Sequence, residues 1–153
     1  MQHNDGVGLS GIGGILVLIS FAVLPLVTIV WFMQYTALQV AEQAGGLWLL
    51  ALAATGAVGV AIWQLFARSS PSVPRGVILL LLGLLSVLGL ILAYIALRLQ
   101  ILSWFNNTAK LSIGFWVMLV GALTMAIGGF IELRNGFSEA RDKHVALRSA
   151  TQS

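Results

Sequence analysis

The sequence predicts an all-α integral membrane protein, four transmembrane helices in a compact bundle with both termini cytoplasmic. Three observations predict it. Hydrophobic residues fill 59% of the 153 positions and charged ones only 8%, against roughly 25% charged in soluble domains. No water-soluble fold of this size hides so much apolar surface. Four apolar runs reach the ~20 residues that cross the hydrocarbon core as a helix. Finally, Lys and Arg gather on one side of the connections between those runs.

After the polar start "MQHNDGVG", the first span covers about Leu9 to Met33. It is too long for the apolar stretch of a signal peptide, and no Lys or Arg precedes it, so we expect it to stay in the mature chain. Pro25 falls in its middle. A proline removes one helix hydrogen bond and crowds the carbonyl four residues back, here that of Phe21, so a kink is expected, with Ser20 or Thr28 serving the freed group. The second span covers about Gly46 to Ala67, the third Gly76 to Leu97 and the fourth Leu111 to Ile131. A cytoplasmic tail, 132–153, completes the single domain. Within it Asn135-Gly136 reads as a breaker, and Ser138 as the cap of a short helix reaching towards Arg148.

Orientation follows from the short connections. Arg68, Arg75, Arg134, Arg141, Lys143 and Arg148 lie on one side, and Arg98 and Lys110 on the other. Six against two places both termini inside by the positive-inside rule. The net charge of +3 is therefore an orientation signal, and no nucleic-acid partner is expected. The aromatic residues fit this layout. Trp31, Tyr35 and Trp48 flank the first outer connection, Tyr94, Trp104 and Trp116 the second, and Trp63 sits near the inner end of the second span, at headgroup level. The second connection, "RLQILSWFNNTAK", is read either as a short interfacial turn or as a continuation of the third helix. Its Asn106-Asn107-Thr108 matches a glycosylation acceptor pattern of low specificity.

Gly45-Gly46-Leu47-Trp48, following Trp31, resembles the tryptophan and Gly-Leu-Trp of the claudin family's first extracellular segment. That pattern continues into two cysteines on a long extracellular sheet. Here Cys is absent and the connection is short for a sheet, so no property of that family is carried over.

Chemistry is hard to place. Residues 10–30, 49–63, 77–93 and 112–131 contain no Asp, Glu, Lys, Arg or His. This argues against a proton relay, a voltage sensor or an intramembrane acid–base or metal enzyme. The polar groups in the spans, Ser20, Thr28, Thr55, Ser86, Ser112 and Thr124, can each bond back to their own helix. His3 and His144 lie in the tails, away from any pigment or metal position in the bilayer. No catalytic residue, metal or cofactor is expected. Bound lipid is expected.

The informative feature is a set of small-residue stripes. A helix turns by about 100° per residue, so positions three, four and seven apart share a face. On the fourth span one line reads Gly114, Met118, Gly121, Met125, Gly128, Glu132. Ala122, Ala126 and Gly129 run beside it. Trp116, Leu119, Val120, Leu123, Ile127, Phe130 and Ile131 take the other side. In lipid, helices associate through close packing at small residues, and Met fills irregular gaps between them. The second span carries Ala53, Ala57 and Ala61 with Gln64 near the same line. The third carries Ser86, Gly89, Ala93 and Ala96, and the first Gly11 and Gly14. These faces are expected to pack within the chain or, for the fourth span, against another subunit. The resulting expectation is a non-catalytic accessory or structural subunit of a larger membrane complex, its partners being the bilayer and other subunits or a second copy. The alternatives are a small transport or channel protein gated near Pro25, and a membrane regulator acting through its tail.

Overall fold

The computed structural model describes residues 5–29, 33–41, 46–67, 73–99 and 109–151. Helix α1 runs Asp5–Val23, β1 Pro25–Ile29, β2 Met33–Thr36, α2 Ala37–Ala41, α3 Gly46–Ala67, α4 Val73–Leu97, β3 Ala109–Leu111 and α5 Ile113–Thr151. Helices α1, α3, α4 and the first part of α5 are long and apolar enough to cross a membrane. The chain thus has the build of a multi-pass membrane protein. Helix α1 packs on α3 and α5, and α4 packs on the same two from the other side.

The first correction to the sequence reading concerns Pro25. It does not kink a continuing helix. Asp5 favours the start of α1 by sitting in its first turn, where a negative charge meets the helix dipole. The helix stops at Val23, with Leu24 N–H donating to Ser20 O at 3.2 Å, because a residue before proline is steered away from helical geometry. Pro25 then opens β1, a position where its missing N–H is tolerated. The second half of the expected span, "PLVTI", is a strand.

A second correction concerns the sheet, for which the connection looked too short. It draws its strands from three places. β1 pairs antiparallel with β2 (Val27 opposite Tyr35) and with β3 (Val27 opposite Leu111), giving the order β2-β1-β3. Ser112 N–H adds a bond to Leu26 O at 2.9 Å. Helix α2 follows β2 directly and is capped reciprocally: Thr36 N–H donates to Gln39 Oε1 at 3.0 Å, and Gln39 N–H to Thr36 Oγ1 at 3.5 Å, the capping-box pattern. Leu26, Val27, Ala37, Val40 and Ala41 are buried beneath this cap beside Leu47 and Leu50 of α3. The rings of Phe21 and Trp48 lie 5.9 Å apart. We call this the sheet end, and the opposite end, where α1 and α4 begin, the base.

The third correction lies at Asn135-Gly136, which does not break the chain. Helix α5 continues through it to Thr151. One helical glycine costs only about 1 kcal/mol, and the Ala, Glu, Arg and Lys that follow are good helix formers. Glu139 and Lys143 pair at 3.0 Å, four residues apart in the favourable order. Ser138 caps nothing new; its hydroxyl donates to Asn135 O at 2.8 Å inside the helix. Helix α4 also begins earlier than expected, so that Arg75 lies in its first turn. Trp31, Trp104, Asn106 and His3, and the choice between an interfacial turn and a longer helix over residues 100–108, fall outside the described residues.

Candidate functional site

The small-residue faces turn towards each other. A Cβ on Gly13 of α1 would lie 2.6 Å from Gly121 O, and a Cβ on Gly121 would lie 2.8 Å from Gly13 O and Val17 Cγ2. The two backbones are therefore in direct contact, which only hydrogen side chains permit. Gly128 abuts Gly6 and Ser10, and Gly114 abuts the Pro25 carbonyl. Met118 and Met125, between these glycines, are fully buried. The second line of α5 faces α4: Gly129 abuts Leu79 and Leu80, and Ala126 abuts Gly83, with Ala122 buried beside them. The face that could have awaited another subunit is filled by this chain.

The other stripes are buried likewise. Gly11 meets Ala61, and Gly14 meets Ala54 and Val58, while Ala53 and Ala57 are buried along the same side of α3. On α4, Ser86, Gly89 and Ala93 are buried. The bulky residues Trp116, Val120, Leu123, Ile127 and Phe130 are exposed on the outside, as are Ile12, Ile19, Leu84 and Leu88.

Hydroxyls fasten the α1–α5 contact. Ser10 Oγ donates to Met125 O at 3.0 Å, and Ser20 Oγ to Gly114 O at 2.7 Å. Ser20 therefore bonds across helices, a correction to the expectation that it bonds back to its own. Thr55, Ser86 and Thr124 do bond back, to Ala51 O, Leu82 O and Val120 O.

Ionisable groups gather at the base. Glu132 is fully buried, and Arg75 Nη1 lies 3.7 Å from its Oε1, the arginine side chain being 17% exposed. Glu132 opens the segment read from sequence as a cytoplasmic tail, yet it lies inside the body: Gly6, packed against its backbone, helps close protein around it. Gln64 lies in the same layer. The contacts step down α1 and up α3 from Gly14–Val58 to Gly11–Ala61, so the next turn brings Gln64 level with the start of α1. It is 4% exposed, and its amide has no hydrogen-bond partner among the described residues.

Composition hides this layer because Glu132 lies one residue past the fourth apolar run and Arg75 one residue before the third. The signal was present: Glu132 continues the Gly114–Gly128 line, and Gln64 the Ala53–Ala61 line. Chemically, the arrangement is an ion pair joining α4 to α5, with a buried amide on α3 at the same end of the body. Among the described residues no three of His, Asp and Glu gather as metal ligands. Comparison with protein families, characterised proteins and solved structures finds no match for this chain.

Proposed function

We propose that this protein is a non-catalytic accessory or structural subunit of a larger membrane assembly, set in the cytoplasmic membrane with both termini inside. The observation that carries the reading is the contrast between the two halves of α5. Its first half is packed on α1 and α4 along both small-residue lines. Its second half leaves that body and is exposed at every position from Ala140 to Arg148. Most helical stability in proteins comes from tertiary packing of one face, and these positions have none among the described residues, so the extension is suited to being held by something else. The contact surface for other subunits is thus the extension, and not the glycine stripe that first suggested one. The six-to-two distribution of Lys and Arg supports the orientation. The use of Ser10, Ser20, Thr55, Ser86 and Thr124 hydroxyls as donors to backbone carbonyls supports a structural role for the polar groups in the spans. Lipid covers the outward Ile, Leu and Val side chains.

Mild-detergent extraction from native membranes, followed by native mass spectrometry, tests this. The expected particle is far heavier than the 16.3 kDa chain, and deleting residues 135–153 releases the chain from it while the four spans still insert. A lone monomer whose loss leaves every membrane complex intact overturns the reading. A second reading, a small transport or channel protein, draws on the polar layer of Arg75, Glu132 and Gln64. Liposome flux above that of empty vesicles would favour it; the apolar packing of Leu50, Leu90 and Met118 farther along the body weighs the other way.

A further inference from the structure

The exposed half of α5 has a charge pattern that specifies more than a generic contact. Arg134, Arg141 and Arg148 recur every seventh residue, which at about 100° per residue keeps all three within roughly 40° of one line. Phe137 and Val145 flank that line, 58% and 61% exposed. The two acids of the segment stand elsewhere. By the same rotation Glu139 is about 160° from the arginine line and Asp142 about 100°, and Glu139 is engaged with Lys143. One face is therefore basic and apolar with no acid on it.

We propose that this face docks an acidic helical segment of a partner protein, apolar side chains of the partner covering Phe137 and Val145 and its carboxylates meeting Arg134, Arg141 and Arg148. The inference rests on the accessory-subunit reading and names the partner's chemistry. Two other occupants fit less well. A second copy aligned along the same face sets arginines beside arginines, and like charges on neighbouring helices repel. A membrane surface is flat, whereas this line follows the helix axis. Helix α5 is packed along α1 and α4 throughout its apolar part, so it leaves the membrane in the direction of that body. Arg148 then lies about 21 Å beyond Arg134 at 1.5 Å per residue, well past a headgroup layer roughly 5–8 Å deep. Only a partner that itself extends away from the bilayer reaches all three guanidiniums.

The test uses the full chain in nanodiscs of neutral phosphatidylcholine and two labelled helical peptides. They share Leu at the core heptad positions and differ only in carrying Glu or Lys at the flanking ones. Fluorescence anisotropy is expected to show the Glu peptide binding roughly tenfold or more tightly than the Lys peptide, with a gap that narrows as salt rises. The triple variant Arg134→Glu, Arg141→Glu, Arg148→Glu reverses the preference. Lys143→Glu, on the far side, leaves it in place, and a helical circular dichroism spectrum checks that each variant is folded. No preference in the wild type, or an unchanged preference in the triple variant, overturns the proposal. So does capture of phosphatidylserine vesicles over neutral ones without discrimination between the peptides. The mass measurement separates the two readings. A heavy native complex that survives the triple variant sinks the acidic-partner inference alone. A lone monomer that still prefers the Glu peptide sinks the subunit reading alone.

Discussion

Arg75 Nη1 lies 3.7 Å from Glu132 Oε1, and the carboxylate is sealed from solvent. The pair ties the first turn of α4 to α5 at the point where Gly6 of α1 also touches α5. Removing one member of a buried pair weakens what holds the other charge, at a cost of up to roughly 3–5 kcal/mol, whereas replacing both is far milder. Arg75→Ala is therefore expected to destabilise the protein by about 3 kcal/mol, near the lower end of that range because the arginine keeps some access to solvent. The double variant Arg75→Ala, Glu132→Leu recovers most of the loss. Equilibrium unfolding in mixed detergent micelles reads both, and additive losses would show that the two groups act independently.

The stripe on α5 makes a sharper steric prediction. A Leu side chain at Gly121 has to displace the α1 backbone at Gly13, so Gly121→Leu is expected to abolish the folded state in detergent. Leu123→Ile, on the exposed side of the same turn, changes the melting temperature little. Gly8 provides the counter-case, because a Cβ there meets nothing within 4 Å. Gly8→Ala is expected to stabilise α1 by about 0.5–1 kcal/mol through helix propensity alone. Equal tolerance of Gly121→Leu and Leu123→Ile would show that the glycine line is no contact surface.

Ser20 bonds from α1 to the Gly114 carbonyl at the very start of α5. Hydrogen bonds between helices in lipid average about 0.6 kcal/mol and reach roughly 1.7. At 2.7 Å and buried, this one should sit in the upper half, so Ser20→Ala is expected to cost about 1 kcal/mol. Thr55→Ala, which removes only a bond within its own exposed helical turn, should leave the unfolding midpoint nearly unchanged.

Gln64 predicts a gain. Its buried amide lacks a partner among the described residues, and an unsatisfied buried polar group costs about 1–3 kcal/mol. Gln64→Leu keeps the volume and removes the polar atoms, so a rise in stability of about 1 kcal/mol or more is expected in the same unfolding assay. A fall of that size would show that the amide is bound in the folded protein.

The four apolar helices and the faces they bury were legible because each rests on a short-range rule: run length for the spans, and spacing by three, four and seven for the faces. The features missed are those where apolar character does not distinguish between structures. "PLVTI" is as hydrophobic as a helix turn, and only its proline and β-branched residues mark it as a strand. Read as part of a run from Leu9 to Met33, that signal became a kink. Strand β3 is three residues long and exists by pairing with β1 some eighty positions earlier, which no local window contains. Asn135-Gly136 misled in the opposite way. Its local preference for a turn was overridden by strong helix formers on both sides. Glu132 shows how a face can be read correctly and its last member still misjudged: the line through Gly128 already pointed to it, but the boundary was drawn by composition.

The backbone contact of α1 with α5 joins the earliest span of the four to leave the ribosome with the latest. While α3 and α4 are being inserted, the groove of Gly6, Gly13 and Val17 has no filler, and β1 lacks one of its two neighbours. Final closure must therefore await the last segment, a long-range step of the kind that slows folding.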